Sequence, residues 1–428
     1  MKRIILYLIS IISVLLNFLN TSYANDVSLL LLQDIETHRA IDIEFFSINN
    51  DKYLIVVNTD YGSTETNANL YKWNLHSFIK IDEIDGDHFC EFFTIGDESY
   101  IIIGCKKDNN QEGSQIYKWT GVKFEPIQFI ETPIPGDYNI FTIEEKTYLA
   151  IIIDDPWPIF LWNGSNFIEK DNLKNHVAPN VESFSLDGET YLAVANMTDA
   201  NSIIYKWEEN SFKEFQNNIV NYAYDLEFFH FNEQTFLVVG HNTSMLTIYK
   251  WNGVIFENYK SVSTSPSRIN DLETFRISNT LYLGVAKWRD DTTYRVNSYV
   301  YRWNGESFDN VLSIDTVGAY KIISFSIDNY TYLAVDSAYD DSKPGAQGYY
   351  SISKIYYFFD CSKAIGSITK PNNFIYGTPA KASEVNENFD ILYNSINQMS
   401  CQMERLQAEV NLLKSIVCKD SAECNVFK

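Results

Sequence analysis

The chain reads as an all-β, seven-bladed β-propeller of four-stranded blades, followed by a C-terminal α-helical coiled coil. Three observations predict this. A strand-rich unit recurs seven times, an orphan strand at the start fits a gap in the last unit, and a clean heptad runs through the end of the chain. Units of about 40–50 residues holding four short strands are the sequence pattern of propeller blades.

The clearest unit is Leu186–Phe212. Asp187-Gly188 marks a turn, Thr190–Ala195 is an apolar run, Ser202–Trp207 is a second strand, and Phe212 opens a third. Aromatic and β-branched residues between Gly, Asn and Asp punctuation are strand signals. The Tyr-Lys-Trp corner recurs at Trp73, Trp119, Trp207 and Trp251, with variants at Trp162 and Trp303. Asn-Gly follows at Asn163-Gly164, Asn252-Gly253 and Asn304-Gly305, which predicts the positive φ of a tight hairpin turn. A phenylalanine then opens the next strand at Phe78, Phe124, Phe167, Phe212, Phe256 and Phe308.

The other landmark is Asp-x-Glu-x-Phe, as in Asp42/Glu44/Phe46, Asp225/Glu227/Phe229 and Asp271/Glu273/Phe275. Its phenylalanine falls at Phe46, Phe93, Phe141, Phe184, Phe229, Phe275 and Phe325, 43 to 50 residues apart. The seventh copy lacks a fourth strand. Leu29–Ile35 supplies one, because Gln33 stands nine residues before Asp42 just as Gln128 stands nine before Asp137. Such a strand would close the ring and remove its open edges.

These corners resemble the epilepsy-associated repeat, also called EAR or EPTP, over roughly Leu29–Phe359. The resemblance implies a seven-bladed propeller with an extracellular protein-binding role and no catalysis, and it admits a bound cation. Several copies depart from the pattern. Phe89 and Asn180 replace the Asp, Asn139 replaces the Glu, Lys321 and Ile323 replace both in copy seven, and Phe358 replaces its Trp.

The repeated carboxylates are the candidate site. If their strand is innermost in each blade, Asp42, Glu44, Asp137, Glu182, Asp225, Glu227, Asp271 and Glu273, with Glu91, converge on a central channel. Carboxylates held together resist joint ionisation. A hard cation such as Ca²⁺, taking six to eight oxygens, would compensate them. Water, or cross-blade hydrogen bonds to backbone amides, would do so without a metal.

Residues 1–24 read as an export signal: Lys2 and Arg3, the apolar run Ile4–Leu19, then the small-x-small site Ser22-Tyr23-Ala24. A retained anchor is the alternative, but the run is short for a span. The mature chain is expected to start near Asn25 in an oxidising compartment: secreted, at the cell surface or in a periplasm, with no membrane span. The expected divisions are the propeller at 25–360, a linker at 361–380, the helix at 381–417 and a cysteine-containing tail at 418–428.

Folding the second copy's hairpin about Asp97-Glu98 sets Cys90 opposite Cys105, so a cross-strand disulfide is expected; two buried thiols are the alternative. The pairing of Cys361, Cys401, Cys418 and Cys424 stays open, and no CxxC zinc spacing occurs.

The formal net charge of −23 argues against nucleic acid or an anionic membrane as partner. No HExxH, GxSxG, P-loop or GxGxxG is present, so no enzyme is expected. After the propeller, Thr378–Phe389 resembles a short module of exported bacterial and phage-related proteins and opens the helix. Val385, Phe389, Leu392, Ile396, Met399, Met403, Leu406, Val410, Leu413 and Val417 alternate steps of four and three, the seam of a coiled coil. It predicts a homo-oligomer, dimer or trimer. The expected function is an exported, non-enzymatic scaffold that binds a protein or glycan through its loops, such as Asp60–Ala68, Asp290–Val296 and Asp340–Gly348. A glycan-cleaving propeller and a structural surface or spike component are the alternatives.

Overall fold

The computed structural model describes residues 27–59, 67–107, 111–153, 156–173 and 178–360, and beyond them 403, 405–410 and 412. Among the described residues, 28 strands form seven four-stranded sheets. The Asp-x-Glu-x-Phe strands are Ala40–Ile48, Cys90–Ile95, Asp137–Ile143, Val181–Leu186, Ala223–Phe231, Ile269–Ile277 and Ile322–Ile327. Each lies at one edge of its sheet and against its counterpart in the next, and the seventh lies against the first. These are therefore the inner strands of a closed seven-bladed propeller.

Burial follows from this geometry. The second strand of each blade is sandwiched between two neighbouring blades, so it is apolar on both faces. Thr280–Lys287 is buried throughout. The outer strands face a neighbour on one side only, and Phe167–Leu173 buries Phe167 and Leu173 while exposing most of what lies between. Blades sit close: a Cβ on Gly240 would stand 2.7 Å from the Ile269 side chain of the next blade.

Closure occurs as the sequence predicts. The last sheet runs Ile322–Ile327, Tyr330–Val335, Tyr350–Asp360 and then Val27–His38 as its outer strand. The alignment of Gln33 with Gln128 has a physical basis. Gln128 donates to the Phe167 carbonyl at 2.8 Å and accepts from its N–H at 2.8 Å. Gln216 does the same with Phe256. Gln33 repeats it across the seam, with Phe78 of blade one, at 2.9 and 2.8 Å.

Two turn types organise each blade. The inner hairpin at Asp187-Gly188 has φ +53° and +81°, the two-residue form whose twist matches the strands. The Trp-Asn-Gly corner is a longer loop than expected. Trp303 pairs with Phe308, so four residues intervene. Asn304 closes them by accepting the N–H groups of Glu306 and Ser307 at 2.9 Å each, and Gly305 takes φ +104°.

The expected disulfide is corrected. Cys90 pairs with Ile103, not Cys105, because the hairpin turns at Gly96-Asp97, where Gly96 has φ +61°. Cys105 is two residues beyond Ile103, a diagonal too long for a disulfide. Neither cysteine is in a disulfide, and both are buried.

The export signal, the 361–380 linker, the 418–428 tail, the other four cysteines and most of the 381–417 heptad lie outside the described residues. Helix is described at 403, 405–410 and 412, where the heptad-core residues Met403, Leu406 and Val410 are exposed.

Candidate functional site: the inner carboxylates and the channel mouth

Side chains at i, i+2 and i+4 of a strand share a face. In each blade the Asp, the Glu and the Phe of the motif therefore point the same way, and that way is sideways, onto the following blade. Phe46 stacks on Phe92 at 4.2 Å and meets Phe124 edge-on. Phe93 meets Phe167, Phe141 meets Phe212, Phe229 meets Phe308, and Phe275 meets Phe358 in the same manner.

The carboxylates follow the same rule. The Asp of one blade accepts the N–H of the residue just after the matching position in the next. Asp42 takes the Cys90 N–H at 2.8 Å, Asp137 that of Val181 at 3.1 Å, Asp225 that of Leu272 at 2.5 Å and Asp271 that of Ile322 at 2.9 Å. The Glu repeats this two residues on. Glu44 accepts the Phe92 N–H at 2.8 Å, Glu273 the Ser324 N–H at 3.0 Å, and Glu182 the Phe228 N–H. Glu227 accepts instead from the Thr274 hydroxyl at 3.0 Å. These are latches between blades. They satisfy amides that a closed ring leaves without a ladder partner.

Lys321 of blade seven enters this circle of acids at a position where other blades carry Asp. Its Nζ lies 3.6 Å from Asp42 Oδ1. Its own N–H and that of Tyr320 are held by Asp336 Oδ1 at 2.8 and 2.7 Å. Sequence reasoning missed Asp336. Its signal was a lone carboxylate ending the apolar run Tyr332–Val335, and it is fully buried.

Burial raises the pKa of most of these acids. Asp137 is pushed up to about 6, Asp271 to about 7 and Glu44 to about 8, the last also by repulsion from Asp42. Lys321 opposes all three shifts. Unfolded carboxyls titrate near 4, so the folded chain holds extra protons between about 4 and 8. Their stabilisation is full below pH 4 and is lost as pH rises through 6 to 8. We therefore expect the melting temperature to fall from pH 5 to pH 7, with a shallower fall in Asp271→Asn. Lys287 does not blur this window. Burial depresses it to about 7 against about 10.5 unfolded, so it is protonated in both states at pH 5 and begins to contribute slope only near pH 7. His241, which burial depresses to about 4, adds an opposing rise between about 4 and 6.5. The comparison therefore decides: equal slopes in wild type and Asp271→Asn would show Asp271 ionised throughout.

The acids meet solvent at one end of the channel. A cavity of about 550 Å³ there is lined by Asp137, Asp225, Asp271 and Lys321 with the aromatic rings of Trp288 and Tyr320. By strand direction, the loops at 290–296 and 340–348 rise from the same face; residues 60–66 lie outside the described residues. Trp288, at 5.6 Å from Tyr320 and 5.5 Å from Tyr294, is flanked by the guanidinium groups of Arg268 and Arg289. Arg295 reaches Asp340 at 3.3 Å and ties two of the loops together.

A divalent metal does not fit the ring of aspartates. Among the described residues, no three His, Cys, Asp or Glu groups come together closely enough to hold an ion. Each Asp gives at least one oxygen to main-chain N–H groups, Asp42 and Asp225 give both, and the Lys321 ammonium stands beside Asp42.

The geometry defines a closed seven-bladed propeller, and comparison with known proteins finds relatives of its repeat. The EPTP domain family model matches residues 30–74 and 166–208. The chain is 29% identical to the human thrombospondin-type laminin G domain and EAR repeat-containing protein, over 54% of this chain and 46% of that one. It is 22% identical to human leucine-rich repeat LGI family member 2, over 72% of this chain and 48% of that one. The chain thus spans about half the length of these relatives. The crystal structure of BBS1N in complex with ARL6DN, soaked with mercury, shares the fold, with TM-score 0.53 at 11% identity over 77% of this chain and 96% of that one. Two of the recurring segments thus match the EPTP domain, and the chain is a seven-bladed propeller similar to EAR-repeat and LGI family proteins. Among the described residues, no helix is long and apolar enough to cross a membrane.

Proposed function

We propose that this propeller is a non-enzymatic binding scaffold, exported by its N-terminal segment and oligomerised by its C-terminal heptad. A protein partner docks on the channel-mouth face. One observation carries the reading: the repeated acids are engaged as latches between blades, which leaves them poorly placed for acid–base catalysis. The relatives are likewise named for repeat and laminin G modules, not for a reaction. The half-exposed Trp288 and Tyr320 at the mouth offer the rigid aromatic contact area that interface centres favour.

The test has two arms. Cross-linked capture by the full mature chain should recover a partner that Trp288→Ala loses; hydrolysis of a glycoside panel, abolished by Asp225→Asn, would replace this reading with an enzyme. In light scattering, the mature chain should run as a dimer or trimer and a version ending at Tyr376 as a monomer. If both run as monomers, the heptad is only a surface helix.

A further inference from the structure

We propose that Lys321 is a built-in counter-cation that takes the place of a divalent metal among the inner aspartates, so that the propeller assembles without one. Four observations support this. First, Lys321 occupies the repeat position that Asp42, Asp137, Asp225 and Asp271 hold in their own blades. The single substitution removes one negative charge from the circle and adds a positive one. Second, its ammonium lies 3.6 Å from Asp42 Oδ1, across the seam between blade seven and blade one. Third, Lys321 lines the same cavity as Asp137, Asp225 and Asp271, so it faces three further carboxylates.

Fourth, its main chain is fixed. Asp336, buried behind it, holds the amides of both Tyr320 and Lys321, and Asp271 holds the Ile322 amide at 2.9 Å. Three consecutive N–H groups are thus clamped, which sets where the side chain emerges. The electrostatic balance agrees. Burial works against the Lys321 charge, yet Asp42, Asp271, Asp137 and Asp225 together hold its pKa well above that of a free lysine.

A hard divalent ion would need six to eight oxygens. Here it would have to displace amide bonds from the aspartates and sit beside an ammonium of like charge. The lysine supplies three donors and one charge from within the chain, and it stays in place at any metal concentration.

The experiment uses the full mature chain. Purified wild-type protein is assayed for metal by mass spectrometry and melted in millimolar CaCl₂ and in EDTA. We expect no stoichiometric Ca²⁺ and the same melting temperature in both. A bound equivalent of Ca²⁺, or a rise in melting temperature with Ca²⁺, would overturn the proposal, and neither readout depends on a variant folding. Lys321→Asp restores the repeat's own residue; it should melt several degrees lower than wild type in EDTA and recover in CaCl₂. Lys321→Met should lose stability that Asp42→Asn restores in the double variant. Strict additivity of Lys321→Met and Asp42→Asn would show that the lysine does not act as counter-ion and would also overturn it.

Discussion

Deleting Leu29–Ile35 should lower the melting temperature of the whole propeller by roughly 10 °C or more, or leave no folded protein. The segment is the outer strand of blade seven, and its loss acts at three places. It strips the edge of Tyr350–Asp360, onto which Val27–His38 is paired as the outer strand. It removes Leu32 and Ile35, both buried, from the blade. It also removes Gln33, and with it the only seam contact of the outer strands that repeats the Gln128 and Gln216 latches among the described residues. An open ring leaves two blades with an unpacked face, so the damage reaches blade one, which is not deleted. Gln33→Ala should isolate the latch at about 1–2 kcal/mol, the scale of a lost hydrogen bond with its partner left unpaired. A synthetic peptide of the deleted strand should restore part of the loss. An unchanged melting temperature in the deletion variant would refute closure by this strand.

The repeat, its phase and its closure were legible because each rests on spacing. Gln33 could be placed from its distance to Asp42 before any pairing was known. The inner position of the Asp-x-Glu-x-Phe strand was only a condition in the sequence, and the sheet order supplies it. Less was legible where two readings share one pattern. The acids were expected to converge on the channel, and three of the aspartates do line its mouth, but Asp42, Glu44 and Phe46 share one face of their strand, and Phe46 belongs to the core between blades. The acids beside it had to point to the next blade as well. The hairpin of Cys90 was misplaced for a similar reason. Phe184 stands three residues before Asp187 and Phe46 three before Asn49, so Phe93 already placed the turn at Gly96-Asp97. Lys321 could be seen as a departure from the repeat, but its contact with Asp42 crosses the closing seam. A local pattern carries no information about residues 279 positions apart.

Replacing Trp303 by alanine is expected to destabilise the propeller by about 3–5 kcal/mol, the usual range for a buried Trp. For a domain of this size that is a fall in melting temperature on the order of 5–10 °C. The repeat explains the size of the effect. Five of the six corner tryptophans lie edge-on to an aromatic ring of the preceding blade, and the sixth, Trp251, is tilted against Phe215 at 6.2 Å. Trp119 meets Tyr53 at 5.6 Å, Trp162 meets Tyr100 at 5.7 Å, Trp207 meets Tyr148 at 5.2 Å, and Trp73 crosses the seam to Tyr332 at 6.0 Å. Trp303 has the fullest set, with Phe229 at 5.1 Å, Phe236 at 5.2 Å and its own Phe308 at 5.0 Å, and it is 5% exposed. Among the described residues its indole nitrogen has no hydrogen-bond partner, so alanine removes packing alone and leaves a cavity between blades five and six. Trp303→Phe should recover most of the loss. Blade seven carries Phe358 at the equivalent position, where it still reaches Tyr282 at 5.2 Å and Phe275 at 5.3 Å. Thermal melts of the two variants separate the contributions. If Trp303→Ala melts with the wild type, the tryptophans are not the staples between blades, and their recurrence reflects the corner loop instead.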